Sequence, residues 1–352
     1  MLYQTKNPHG GDLFGREETL DFSSNIHPLG TPESVKRAVI GCADRLDCYP
    51  DPYCRALVAA IAQKEGIPED QILCGCGAAE LIFSFCAAAR PQTVLMPVPT
   101  FSEYANALQQ NGCKVIEHFM LPDKDFPLEE DFLQSIRLHT PDAVFLCNPN
   151  NPTGRLIPQK VLLATVDLCE RMGCRLFVDE CFLELSDGWE GDSLKNLLTA
   201  HPTLFLLRAF TKSYGMAGLR LGYCLSGDKA LLQKMGSAVQ PWNVSLPAQA
   251  AGIAAMRETG FVSAGREIIQ TERPWMEEHL RQIGFTVVPS QANFILFFGD
   301  AGLGEAILPY GVQIRDCSNY SGLGAGWYRV AVKRHAQNAK LIDALAHIKR
   351  GG

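Results

Sequence analysis

The sequence lacks any apolar run approaching the ~20 residues a membrane-spanning helix needs, so no membrane span is expected. It has no basic run, and its net charge is −6, which argues against nucleic acid as a principal partner. No C-x-x-C occurs among 13 cysteines, an odd and scattered set whose closest members are Cys74 and Cys76. Structural zinc wants paired ligands at tight spacing, so no metal site is expected. Several cysteines sit inside apolar runs, such as Cys86 in LIFSFCAAA and Cys224 in LGYCLS, where they act as small hydrophobes in a reducing compartment. The opening residues MLYQTKNPHGG lack the apolar segment of a secretory signal. Repeats and low-complexity tracts are also missing. These absences leave a cytoplasmic globular protein whose 352 residues and 47% hydrophobic content suit two lobes with large cores.

What is present is ordered. Residues 1–30, rich in Gly, Pro and Asn, read as an extended arm. From 31 to about 230, short apolar strands alternate with helical stretches: QILCGCG then AAELIFSFCAAA, TVLMPVP then FSEYANALQQNG, DAVFLCNP then VLLATVDLCERMG. RLFVDECF, TLFLLRAF and LRLGYCLS complete the set. Nearly continuous apolar strands separated by helices predict an α/β lobe with a parallel sheet covered on both faces. Residues 231–352 differ, with a long helix, the strands FTVVPSQANFILFF, GVQIRD and WYRVAVKR, and a closing helix; they predict a smaller α+β domain. In open α/β folds, ligands gather at the carboxyl ends of strands, and the unusual residues of this chain fall at those junctions.

Four signals stand there: GCGAAE (75–80) at a strand–helix turn, NPNNPTG (148–154), VDECF (178–182) with Asp179, and TKSYGMAGLR (211–220) with Lys212 and Arg220. Each has a plain explanation when taken alone: a glycine turn, a loop of turn formers, a helix cap, a lysine reaching solvent. Pyridoxal phosphate explains all four at once. It needs an amine for its aldehyde, an anion for its ring nitrogen, a donor for its phenolic oxygen and a cradle for its phosphate. Lys212 is the candidate amine, its pKa lowered by cationic neighbours. Asp179 would keep the ring nitrogen protonated, and Asn151 would donate to the phenolate. Arg220 and the backbone amides of Gly77, Ala78 and Ala79 would take the phosphate, with Thr211 as a further contact. Phe101 could stack on the ring or simply pack in the core.

At this point the sequence resembles the fold-type I aminotransferase family over nearly its whole length, with NPNNPTG, VDExF and TKxxGxAGLRxGY in the family's order. The resemblance implies the pyridoxal-phosphate-dependent transferase-like fold, with a mostly parallel seven-stranded sheet. It also implies a homodimer with shared active sites, in which Tyr49 of CYPDPY reaches the neighbouring subunit's cofactor phosphate. Arg329 of WYRVAVK matches an arginine that grips a substrate carboxylate. Two branches of the family compete. HGG (9–11) with LDFSSNIHPLG (20–30), YPDPYCRAL and SNYSGLGAGWYRVAVK are more similar to the threonine-phosphate decarboxylases, which make the aminopropanol phosphate linker of cobalamin. The alternatives are a histidinol-phosphate aminotransferase and a serine-phosphate decarboxylase. Either decarboxylase would act on a small phosphorylated amino acid, with His9, Asn25, Arg315, Arg329 and Lys333 as candidate contacts to its charged groups. Phe182 stands where relatives carry tyrosine, and Ala209 where many carry a hydroxyl against the phosphate. His27 replaces a small polar residue and is either structural or a tuner of substrate choice.

Overall fold

The structure is a computed structural model that describes residues 9–351, with the side chain of residue 190 also outside the description. The reading that no secretory segment opens the chain rests mainly on residues 1–8, outside the described residues. Among the described residues no helix is long and apolar enough to cross a membrane.

The strands in chain order are β1 (Leu20–Asp21), β2 (Ile72–Gly75), β3 (Thr93–Val98), β4 (Lys114–Phe119), β5 (Ala143–Cys147), β6 (Arg175–Asp179), β7 (Leu204–Ala209), β8 (Gly222–Ser226), β9 (Thr286–Val287), β10 (Phe294–Phe298), β11 (Val312–Gln313), β12 (Arg315–Asp316) and β13 (Trp327–Ala331). The large sheet has seven strands in the order β2-β8-β7-β6-β5-β3-β4. It is parallel except for β8, which runs antiparallel to both β2 and β7. Its central strands AVFLC and LFLLRA are buried at every position, as strands covered on both faces must be. Their register aligns Phe145, Phe177 and Phe205 on adjacent strands. The three rings stack in sequence at 4.3 and 5.0 Å, and Phe85 from the covering helix Gly77–Ala89 meets all three. This column ties the strands whose ends carry Asp179 and Lys212 into one rigid layer.

A second sheet, β12-β13-β10-β9, belongs to the C-terminal region. Its core packs on the helix Phe261–Ile283 and the closing helix His335–Lys349 through Ile269, Met276, Leu280, Leu341 and Leu345. The helix Leu246–Met256 instead packs against Glu33–Ile40 and Arg55–Glu65. The arm is not loose. β1 pairs in parallel with β11, and Phe22 exchanges backbone hydrogen bonds with Gln313 and Ala331. Glycine at position 10 is required here, since a Cβ would lie 2.4 Å from the Ser23 carbonyl oxygen. The doubled-back arm thereby reaches the strand ends of the large sheet.

Candidate active site

A cavity of about 400 Å³ opens at the carboxyl ends of β5, β6 and β7. Its walls include His9 and Asn25 from the arm, Ala78 and Ala79 from the helix start, and Phe101, Asn151, Asp179, Thr211, Lys212, Arg220, Arg315 and Arg329. The structure therefore brings together residues spread over more than 300 positions of the chain.

Lys212 follows β7 in a short helix, Phe210–Ser213, with its Nζ 5.2 Å from the Phe182 ring centre. Burial, then the charge of Arg329, pulls its pKa from 10.5 to about 8. About a tenth of the amine is then neutral and nucleophilic at pH 7, far more than for an ordinary lysine. Asp179 ends β6 and is buried. Its Oδ2 accepts from the Tyr104 hydroxyl at 2.6 Å and its Oδ1 from the Cys181 N–H at 2.8 Å. Burial pushes its pKa up, while those donors and Lys212 pull it back.

Asn151 accepts a hydrogen bond at Oδ1 from Arg329 Nη1, which turns its amide so that Nδ2 is the end left to donate. Arg329 Nη2 donates to the Ser23 carbonyl at 2.8 Å, and its Nε is buried with no partner among the described residues. Asn25 Oδ1 is likewise buried and unpartnered. Orphaned polar atoms of residues that line a cavity are satisfied by a water or a ligand.

The candidate phosphate cradle lies where β2 turns into the helix Gly77–Ala89. Glu80 Oε2 fastens this turn, accepting from the Cys76 N–H and from Asn243 Nδ2, both at 2.6 Å. The first N–H groups of the helix have no intrahelical acceptor and can hold an anion. Gly77 has φ 80°, and a Cβ there would lie 2.7 Å from Arg220 Nη2, so glycine is what lets the arginine approach the amides. Ala209 and Thr211 both line the cavity, so the hydroxyl offered on this side is that of Thr211. Lysine, carboxylate, amide donor and cationic cradle thus match the four needs of pyridoxal phosphate, and the residues fit it.

The remaining placements correct or extend the sequence reading. Tyr49 lies outside this cavity, largely exposed, with its ring 4.6 Å from that of Trp242. Lys333 is not in the cavity wall; its Nζ sits 5.6 Å over the Phe22 ring, beyond the strand end that carries Arg329. His27 is a core residue, stacked on Phe261 at 4.3 Å, and burial drops its pKa to about 4. It does not border the cavity, so it has no direct contact with a ligand there. Sequence reasoning missed Tyr104, Tyr320 and the Ser23–Ser24 pair, all in the wall. The signal for Tyr104 was its i, i+3 spacing from Phe101, which puts both rings on one side of the helix start.

The family model for aminotransferase class I and II matches residues 17–345. The chain belongs to this family. Among aminotransferase class I and II relatives, it is 34% identical to the threonine-phosphate decarboxylase of Salmonella typhimurium, covering 97% of both chains. It is 30% identical to the histidinol-phosphate aminotransferase of Methanococcoides burtonii, over 94% of this chain and 90% of that one. The solved histidinol-phosphate aminotransferase from Clostridium acetobutylicum superposes with a TM-score of 0.88 at 30% identity, covering 95% of this chain and all of that one. The family's fold, with its seven-stranded sheet and smaller C-terminal sheet, is the one described above.

Proposed function

We propose that this protein is a pyridoxal-phosphate-dependent decarboxylase that converts threonine O-phosphate to 1-aminopropan-2-yl phosphate and CO2, a step of cobalamin biosynthesis. The observation that carries the reading is the pairing of Arg315 with Arg329 at directly opposed positions of β12 and β13, both in the cavity wall. Like charges in direct cross-strand register repel, their Cβ atoms about 5 Å apart, unless an anion lies between them. A phosphate dianion suits such a pair better than a carboxylate does. The relationship to the Salmonella decarboxylase over nearly the full length supports the same substrate.

When bound, pyridoxal phosphate supplies an electron sink for the pair left behind when a bond to the substrate's α-carbon breaks. The protein supplies the rest. Asp179 would hold the ring nitrogen's proton, Asn151 would donate through Nδ2, and Arg220 with the amides of Gly77, Ala78 and Ala79 would hold the phosphate. Arg315, Arg329, His9 and Asn25 fix the substrate's charged end. With both arginines on its phosphate, the substrate's carboxylate has no bidentate clamp, and an unclamped carboxylate leaves more readily than a pinned one. Lys212 then delivers a proton to the α-carbon. The reading includes a cytoplasmic homodimer. The exposed Ile40, Leu46, Tyr49, Tyr53 and Trp242 would be covered by the second subunit, and Tyr49 would serve the neighbouring site.

The test is product analysis with threonine phosphate, serine phosphate and histidinol phosphate, each with and without 2-oxoglutarate. The reading expects CO2 and aminopropanol phosphate from threonine phosphate without any 2-oxoacid. Glutamate formed only from histidinol phosphate plus 2-oxoglutarate would instead establish an aminotransferase.

A further inference from the structure

Four arginines are buried among the described residues, and they fall into two kinds. Arg208 and Arg273 are paired with carboxylates, Glu65 and Glu180 in one case and Asp187 in the other. Arg315 and Arg329 take only neutral acceptors. For Arg315 these are the Asp316 carbonyl, Asn319 Oδ1 at 2.7 Å and the face of the Tyr320 ring at 5.3 Å. A carboxylate is close by in sequence, but Asp316 is exposed and its Oδ1 is taken by the Ser318 N–H at 2.8 Å. The chain thus meets the guanidinium with the backbone oxygen of Asp316, and with an amide oxygen where a carboxylate of the same shape would fit.

We propose that Asn319 is a positioning residue that orients Arg315 without neutralising it, so that the full charge remains available to the ligand's phosphate. An amide oxygen accepts one of the five guanidinium N–H donors and leaves the charge in place. A carboxylate at the same 2.7 Å would form an internal ion pair and compete with the ligand. Asn319 is not in the cavity wall and acts through Arg315. Its side chain is largely exposed, so substitutions there leave the core intact. The inference rests on the reading of Arg315 as a phosphate contact.

The test compares Asn319→Ala with the isosteric Asn319→Asp in the cofactor-loaded protein. Calorimetry with inorganic phosphate and with unphosphorylated threonine gives binding, and steady-state assays give KM and kcat for threonine phosphate. Asn319→Ala should weaken phosphate binding and raise KM about tenfold, the worth of one hydrogen bond to a charged group, with kcat little changed. Asn319→Asp should do so about a hundredfold although it keeps the acceptor in place, because it brings a competing charge. Threonine binding should move less than about twofold in either variant. Phosphate binding by Asn319→Asp as tight as in the parent protein would overturn the inference, as would equal losses on threonine and phosphate. If phosphate binding follows the expected order while threonine phosphate is not decarboxylated, the assigned reaction fails and the role of Asn319 stands.

Discussion

Arg208 and Arg329 show what a buried charge is for. Arg208 lies on β7, four residues before Lys212, and is enclosed by Glu65 at 3.1 Å, Glu180 at 2.7 Å and Ser193 at 2.7 Å. Glu65 in turn accepts from Tyr223 at 2.6 Å and from Lys195 at 3.0 Å. This network is satisfied from within. Arg329, with neutral acceptors and an orphaned Nε, is not. Strand alternation separates the two regions: Asp179 faces the active-site cavity while Glu180 points to the Arg208 side. Closed charge networks hold the strand ends still, and open ones wait for a ligand.

The contrast can be broken most severely at the amine. Lys212→Ala should lower the rate of CO2 release about ten-thousandfold, as loss of a nucleophilic residue does, while thermal unfolding of the protein without cofactor changes little. Next, Arg208→Met should cost about 3–5 kcal/mol of stability, because it leaves Glu180 buried without its cation and Glu65 with Lys195 alone. Arg329→Met should cost about 1 kcal/mol or less, yet weaken threonine phosphate binding about a hundredfold. Denaturant unfolding and KM measurements on the two variants check both statements. Equal stability losses would erase the distinction.

Much of the site was legible because its residues sit in short motifs at strand ends. NPNNPTG and VDECF each deliver one polar group and TKSYGMAGLR two, all just past an apolar strand, so the gathering of Asn151, Asp179, Lys212 and Arg220 could be read directly. Other features left no local trace. β1 and β11 are two residues each, too short for periodicity, so the pairing that brings Ser23 and Asn25 to the cavity had no sequence pattern. Arg208 inside TLFLLRAF reads only as a strand residue, and its partners Glu65 and Glu180 come from distant segments. His27 was open to two readings from sequence, a structural residue or a tuner of substrate choice. Its burial against Phe261 and Gly265, where a Cβ would meet the imidazole at 2.1 Å, is a tertiary fact. Tyr49, which the family resemblance assigns to a neighbouring chain, lies on the surface of this one.

Two smaller effects sharpen the comparison. The rate at which protein without cofactor captures pyridoxal phosphate should rise with pH through a midpoint near 8, since the neutral Lys212 amine is the reactive form. Arg329→Met should move that midpoint upward, because the charge of Arg329 is the second cause of the depression. Stability of the same cofactor-free protein should also rise with pH between about 8 and 10.5, where the unfolded chain binds the Lys212 proton and the folded one does not. Stopped-flow absorbance and pH-dependent unfolding measure these. The smallest effect belongs to Gly77→Ala. A methyl group 2.7 Å from Arg220 Nη2, on backbone at φ 80°, should weaken cofactor binding about tenfold and cost about 1 kcal/mol.

The most direct check on the whole account is to load the protein with pyridoxal phosphate, reduce it with borohydride and map the modified peptide by mass spectrometry. A single pyridoxyl group should appear, on Lys212. A label spread over surface lysines, or an unmodified Lys212, would contradict the assignment of that amine and of the charges arranged around it.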